Sequence, residues 1–346
     1  MRMALNTVLL IAALGAGLLA GDGAQAADKK VKSAAHKAVA KKAKPTPPKL
    51  IPRKVRVAYR PGSPASILSA NNAVPWQDAS KLAVQSGSAL VIEQDGVEAL
   101  FQKNANAIAP IASITKLMTA MVVLDSTPDL NAPISISDDD VDMLRGSRSR
   151  LHVGSEMTRE TALLLALMSS ENRAAHALAR HYPGGMPAFL AAMNVKAQAL
   201  GMRDTRFEDP TGLNSSNVST AHDLAKMVAA AHRYPLIREW STMGEASVEI
   251  GGRALVFRNT NPLVKSAAWD VGVSKTGYIH EAGKCLVMLA RLADRPVVIV
   301  LLDSVGKLTR VGDAMRIKRW MESVQAQALA APTVATHAAL ARASGG

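Results

Sequence analysis

The 346-residue sequence is short of cysteine, aromatic residues and acidic side chains, and each shortage removes a class of function. The single cysteine, Cys285, excludes a disulfide framework and a cysteine-built zinc site, and is most simply a small buried hydrophobe. Phe, Trp and Tyr number four each, too few for the stacking platforms that hold single-stranded nucleic acid. There is no His-Glu-x-x-His pair and no Gly-x-Ser-x-Gly elbow, so zinc hydrolysis and an elbow-type serine lack their signatures. The eight histidines show no ligand spacing.

Acidic residues number 28 against 41 Lys and Arg, a formal charge of +13, but the excess is local. Residues 27–60 carry 12 Lys/Arg and one acid, Asp28, which leaves only +2 for residues 61–346. A near-neutral body gives no footprint for nucleic acid. The stretch 27–60 is Lys, Ala and Pro, with Pro45-Thr46-Pro47-Pro48 at its middle, and reads as an extended, self-repelling tether. It is either a plain solvated arm or a weak contact for anionic wall polymer or lipid headgroups.

Residues 1–26 read as an export signal. Arg2 precedes an apolar run from Val8 to Ala20, and Ala24-Gln25-Ala26 fits signal-peptidase cleavage, so the mature chain is expected to begin at Ala27. The run is short of the roughly 20 apolar residues that span a bilayer, and no later apolar run reaches that length. The expectation is an exported chain without a transmembrane anchor.

From Ser88 an alternating pattern and an Asp95-Gly96 turn predict a hairpin. Ile114, Leu117, Met118, Met121 and Val122 then share one face of a helix. Further helices are predicted at 159–168 behind a Thr158 cap, 171–181, 186–200 and from Thr220. Strands return near 270–278, 285–290 and 296–303, before a last helix over 312–324. Strands from both ends of the chain closing around a helical insertion predict a two-part α/β body, 61–325, with an antiparallel sheet flanked by helices. The insertion, roughly 127–260, is expected to be all helical, and 326–346 an Ala-rich disordered tail.

Three short motifs occur in one order. In Ser113-Ile114-Thr115-Lys116, helical spacing makes a hydroxyl and an amine neighbours, and an amine whose pKa is lowered by burial or another cation can activate the hydroxyl. Ser170-Glu171-Asn172 sits where one helix ends and another starts, which suits ordinary capping as well as a proton shuttle and a carboxamide. Lys275-Thr276-Gly277 lies in an alternating strand, so Lys275 and Thr276 point to opposite faces. Both can serve one site only off an open strand edge, where Gly277 leaves room for an extended peptide. Each match alone is cheap: Ser304-Val305-Gly306-Lys307 repeats the first spacing, and Ser69-Ala70-Asn71 and Ser215-Ser216-Asn217 repeat the second.

As an ordered set, the motifs resemble those of the low-molecular-weight penicillin-binding proteins, the D-alanyl-D-alanine carboxypeptidase and endopeptidase family of serine peptidases. IASITKLMTAMVV (111–123), LMSSENRA (167–174), the segment 194–213, STAHDL (219–224) and KTGYIHEAG (275–283) carry the likeness, which covers roughly residues 85–325. LMSSENRAAHALARHYPGG and FRNTNPLV look closest to the soluble periplasmic endopeptidases of that family, the penicillin-binding protein 7 type.

The resemblance implies a β-lactamase/transpeptidase-like fold, no cofactor and no metal. It implies that Ser113 is acylated with Lys116 as base, that Ser170 relays a proton, and that Asn172 holds the substrate amide. Lys275 would supply electrostatics, Thr276 would meet the substrate carboxylate, and the N–H groups of Ser113 and Tyr278, next to Gly277, would form the oxyanion hole. Arg310 sits at the offset of a carboxylate-binding arginine. Peptidoglycan muropeptides are the implied substrate, β-lactams the implied covalent inhibitors, and the periplasm the implied location. Carboxypeptidase relatives often carry a β-rich C-terminal domain and an amphipathic anchor, for which 325–346 is too short; this favours an endopeptidase over a carboxypeptidase. A rival is a non-catalytic wall-binding protein. A β-lactamase would need Glu-x-x-Leu-Asn, and Glu208 to Asn214 has four residues between Glu and Leu, so efficient lactam turnover is not expected.

Overall fold

The computed structural model describes Leu50–Ile51, Ala79 and residues 82–330; the expected signal, most of the tether and residues 331–346 lie outside the described residues. A two-residue strand β1 (Leu50–Ile51) precedes the hairpin β2 (Ser88–Glu93) and β3 (Ala99–Lys103). After β4 (Ala109–Pro110) come helix α1 (Thr115–Asp125), strands β5 (Pro133–Ser135) and β6 (Glu156–Thr158), and helices α2 (Arg159–Met168), α3 (Asn172–Arg180) and α4 (Gly185–Ala199). Strand β7 (Val218–Ser219), helices α5 (Ala221–Ala231) and α6 (Pro235–Thr242) and hairpin β8 (Glu245–Ile250) and β9 (Arg253–Arg258) follow. The chain then returns through β10 (Asp270–Ile279), β11 (Gly283–Leu292) and β12 (Arg295–Ser304) to α7 (Thr309–Ala330).

The main sheet is antiparallel with order β10-β11-β12-β2-β3, so strands from the two ends of the chain pair directly, Val300 opposite Leu90. Its central strands are apolar on both faces because both are covered. Val298, Val300 and Leu302 join one core with α1 and α5, whereas Val297, Ile299 and Leu301 join another with Ala314, Ile317 and Met321 of α7. Alternation along a strand sends neighbouring residues to opposite faces, which yields three layers.

Helix α1 runs through the larger core. Every residue from Thr115 to Val123 is buried, so the single apolar stripe predicted for it understates its burial; Thr115 and Thr119 pass inside because each finds an oxygen to bond. The Thr158 hydroxyl caps α2 by accepting from the Thr161 N–H, and Thr220 caps α5 in the same way.

Two expectations need correction. The insertion is not all helical: β5 pairs with β6, and β8 pairs with β9 and β1. In β8 the buried residues are Ala246, Val248 and Ile250, a period of two that turns back at Gly251-Gly252, both with positive φ. The last helix also continues to Ala330, beyond Val324, since alanine favours helix and nothing in 325–330 breaks it.

Candidate active site

Strand β10 is an edge of the main sheet, and the turn that opens α1 packs on that edge. Ser113 lies in this turn, a 3₁₀ segment over Ala112–Ile114. The close fit depends on two glycines. A Cβ at Gly277 would stand 2.9 Å from the Ile111 carbonyl oxygen and 3.1 Å from the Ser113 nitrogen. A Cβ at Gly212, whose φ is +82°, would overlap the Ala112 carbonyl at 1.9 Å. Ala112 and Ser170 themselves take positive φ, +48° and +62°, a strained backbone at both hydroxyl-bearing turns.

Lys116, fully buried in α1, is the centre of the arrangement. Its ammonium donates to Ser113 Oγ at 2.9 Å, Asn172 Oδ1 at 2.7 Å and the Thr211 carbonyl at 2.7 Å. Three donors meet three acceptors. Burial pushes its pKa down to about 7, against the carboxylates of Asp209 and then Glu171, which pull it up. A large share of the amine is therefore neutral near pH 7, and in that form its lone pair can accept the Ser113 proton.

Lys275, also buried, donates to Ser170 Oγ at 2.9 Å and to the Thr276 carbonyl at 2.9 Å. Burial holds its pKa well below the usual lysine range, and the positive charges of Lys116 and Arg310 lower it further. The lowering of Lys116 by a second lysine, expected from sequence, is thus replaced by burial at Lys116, and like-charge repulsion acts at Lys275, second to burial.

The other expected residues fall around this pair. The carboxamide of Asn172 is fixed from both ends, because its Nδ2 donates to Ser147 Oγ at 2.9 Å. Thr276 Oγ1 donates to Thr260 Oγ1 at 2.6 Å on the other side of β10. Tyr278 is exposed, with the Lys284 ammonium 4.2 Å from its ring centre. Arg310, on α7, donates to the Gly277 carbonyl at 3.1 Å. Cys285 is buried on β11 opposite Gly277, its thiol pushed up to about 11 by burial.

Sequence reasoning missed the Thr211 carbonyl, Ser147 and Thr260. The turn-forming run Asp209-Pro210-Thr211-Gly212 was a usable signal for the first; a lone Ser or Thr carries none. Among the described residues no group of His, Cys, Asp or Glu is placed to hold a metal ion.

A hydroxyl bonded to a buried low-pKa amine and a second hydroxyl–lysine pair, both at the edge strand of the main sheet, make a site for nucleophilic attack on an extended peptide. Residues 76–306 match the family model of the peptidases described as D-alanyl-D-alanine carboxypeptidase. The chain belongs to this family. Among curated members, the D-alanyl-D-alanine endopeptidase of Pseudomonas aeruginosa is 50% identical over 248 residues, 71% of this chain and 80% of that protein. The D-alanyl-D-alanine endopeptidase of Escherichia coli is 45% identical over 247 residues, with the same shares. Among solved members, a Streptomyces DD-transpeptidase superposes with a TM-score of 0.64 at 28% identity, covering 69% of this chain and 98% of that one. The α/β transpeptidase fold expected from the D-alanyl-D-alanine carboxypeptidase motifs is therefore the fold observed. No described helix is long and apolar enough to cross a membrane.

Proposed function

We propose that this chain is a serine DD-peptidase that cleaves D-alanyl cross-links of peptidoglycan through an acyl-enzyme on Ser113. The observation that carries the reading is the 2.9 Å contact between Ser113 Oγ and the buried Lys116 amine. Neutral Lys116 takes the hydroxyl proton as Ser113 Oγ attacks the D-Ala carbonyl. The oxyanion forms between the N–H groups of Ser113 and Tyr278. The C–N bond then breaks, and Ser170, held by Lys275, relays the proton taken up by Lys116 to the departing amine, so that both Ser170 and neutral Lys116 are restored. Water hydrolyses the ester and returns Ser113.

Asn172 is assigned to the substrate amide and Thr276 to the substrate carboxylate. Arg310, bonded to the Gly277 carbonyl, is assigned to the same carboxylate end. β-Lactams, which present an acylating carbonyl beside a carboxylate, are assigned as covalent inhibitors at Ser113. Export to the periplasm rests on the features of residues 1–26, and a wall- or membrane-surface contact on the charge of residues 27–60.

Endopeptidase action is favoured over carboxypeptidase action by the two relatives at 50% and 45% identity, both named as endopeptidases. Incubation with cross-linked dimeric muropeptide and with monomeric pentapeptide, followed by mass analysis, tests it. The expected result is conversion of the dimer to monomers with slower or no loss of terminal D-Ala. Release of D-Ala alone supports the carboxypeptidase reading, and no product from either supports a non-catalytic wall-binding protein.

A further inference from the structure

Lys116 Nζ has three acceptors, and two of them belong to residues carried by the site motifs. The third, the Thr211 carbonyl, is a backbone oxygen in the loop 209–217, and something must aim it. The loop has no regular hydrogen-bonding pattern of its own. Its shape is set by one side chain. Asp209 Oδ1 accepts from the Thr211 N–H at 2.5 Å, the Thr211 hydroxyl at 2.6 Å and the Gly212 N–H at 2.7 Å, and Oδ2 accepts from the Asn214 N–H at 2.6 Å. Four donors converge on one carboxylate, which fixes the peptide planes on both sides of Thr211.

The loop is also fastened to the face of α1 that flanks Lys116. Thr119 Oγ1 donates to the Pro210 carbonyl at 2.6 Å, and Asn217 Nδ2 donates to Thr115 Oγ1 at 3.0 Å and to the Asp209 carbonyl at 2.8 Å. Asn217 Oδ1 receives the N–H groups of Glu208 and Asp209 at 2.7 and 3.1 Å. Gly212 lets the loop press on the Ala112 carbonyl, directly before Ser113. These contacts place a carboxylate behind the third acceptor of a buried amine.

We infer that Asp209 is a positioning residue that aims the Thr211 carbonyl at Lys116 and sets its own carboxylate behind that carbonyl as a counter-charge to the buried amine. The inference rests on the reading of Lys116 as the base for Ser113. The charged groups around Lys116 are Asp209 in the loop, Glu171 before α3, Lys275 on β10 and, next to Lys275, Arg310 on α7. Asp209 is the larger of the two acidic influences, and burial opposes both. Without it the amine loses an aimed acceptor and a counter-charge, and both losses favour the neutral form.

Two readouts test this in full-length wild type, Asp209→Asn and Asp209→Glu. One is the titration of the Lys116 amine by nuclear magnetic resonance of lysine-labelled protein, assigned with Lys116→Arg. The other is the pH profile of acylation by a fluorescent penicillin. For Asp209→Asn the midpoint is expected to fall by about 0.5–1 pH unit, moving the acid limb of the profile the same way. Imprecise placement is expected to lower the plateau about 10- to 100-fold. Asp209→Glu is expected to keep the wild-type midpoint with a plateau at least about 3-fold lower, because charge is kept and aim is lost.

A merely structural role changes the amount of folded enzyme and moves neither midpoint. An Asp209→Asn midpoint that coincides with wild type overturns the inference, as does an Asp209→Glu midpoint displaced as far as that of Asp209→Asn. If Asp209→Asn does not fold, Asp209→Glu decides alone: a wild-type plateau or a displaced midpoint overturns it. Absence of label on Ser113 in wild type contradicts the functional reading instead, and the resonance titration still decides this one.

Discussion

At the scale of single residues, the chemistry rests on burying an amine that water would keep charged. Lys116 is held at about pH 7 mainly by burial, so the neutral base is lost as pH falls through that value. Acylation is expected to drop about tenfold per pH unit below the limb, measured as the rate of penicillin labelling against pH. Lys116→Arg keeps a cation that does not lose its proton at any working pH, and the same assay is expected to show a loss of about 10²–10⁴. An unchanged rate in that variant removes Lys116 from the role of base.

The two glycines at the nucleophile's turn weigh geometry and stability differently. In Gly277→Ala the new Cβ would stand 2.9 Å from the Ile111 carbonyl oxygen, a backbone atom with no side-chain freedom, so the turn itself must shift. Acylation is expected to fall about 10- to 100-fold, with a loss of stability of about 1–2 kcal/mol, smaller than that of Gly212→Ala because Gly277 carries no positive-φ strain. Gly212→Ala combines φ +82° with a 1.9 Å overlap on the Ala112 carbonyl and is expected to cost about 2–4 kcal/mol in urea unfolding. Equal, small effects of the two substitutions would show that neither close approach matters.

At the scale of elements, α3 carries Asn172 at its start and is anchored one and two turns later. Buried Asp140 accepts from His176 Nδ1 and Arg180 Nη2, each at 2.8 Å, and from the Ser137 N–H at 2.8 Å. Burial alone would raise its pKa; the bonds from His176, Arg180 and Ser137 overcome that and bring it down to about 2. A carboxylate with a depressed folded pKa stabilises above its unfolded pKa near 3.8 and loses that contribution as pH falls towards 2. Asp140→Asn is therefore expected to lower stability by about 2–3 kcal/mol at pH 7, with the gap from wild type closing between about pH 4 and 2. Thermal unfolding across that range checks it; a gap independent of pH contradicts it.

What could be read at this scale from sequence followed from how local its cause is. Helices α2 and α5 stand where their caps and periodicity put them, because Thr158 and Thr220 act within one turn. Hairpin β8–β9 went unread although Ala246, Val248 and Ile250 alternate, since it follows a run of helices and forms a small sheet with β1 rather than joining the main sheet. The side chains of Ser113, Lys116 and Lys275 were legible because few residue types do their chemistry. The Thr211 carbonyl was not, because every residue has a carbonyl and only the path of the chain selects one.

At the scale of the whole molecule, the charge is divided between a basic stretch, 27–60, and a body carrying only +2 over 61–346. The machinery argued above lies within 113–310, outside the basic stretch. Deleting residues 27–49, which spares β1 and its pairing with β8, is expected to leave hydrolysis of soluble muropeptide within about 2-fold while reducing retention on isolated walls, most strongly at low salt. Loss of hydrolysis in that deletion contradicts the division.

The central claim is that one hydroxyl, selected by three chain segments meeting at the edge of β10, takes on the acyl group. Mass analysis of proteolytic peptides after exposure to penicillin measures it directly, in wild type and Ser113→Ala. The account predicts a single adduct of the drug's mass on the peptide containing Ser113, and none in the variant although it remains folded. An adduct on another residue, or one that persists in Ser113→Ala, contradicts it.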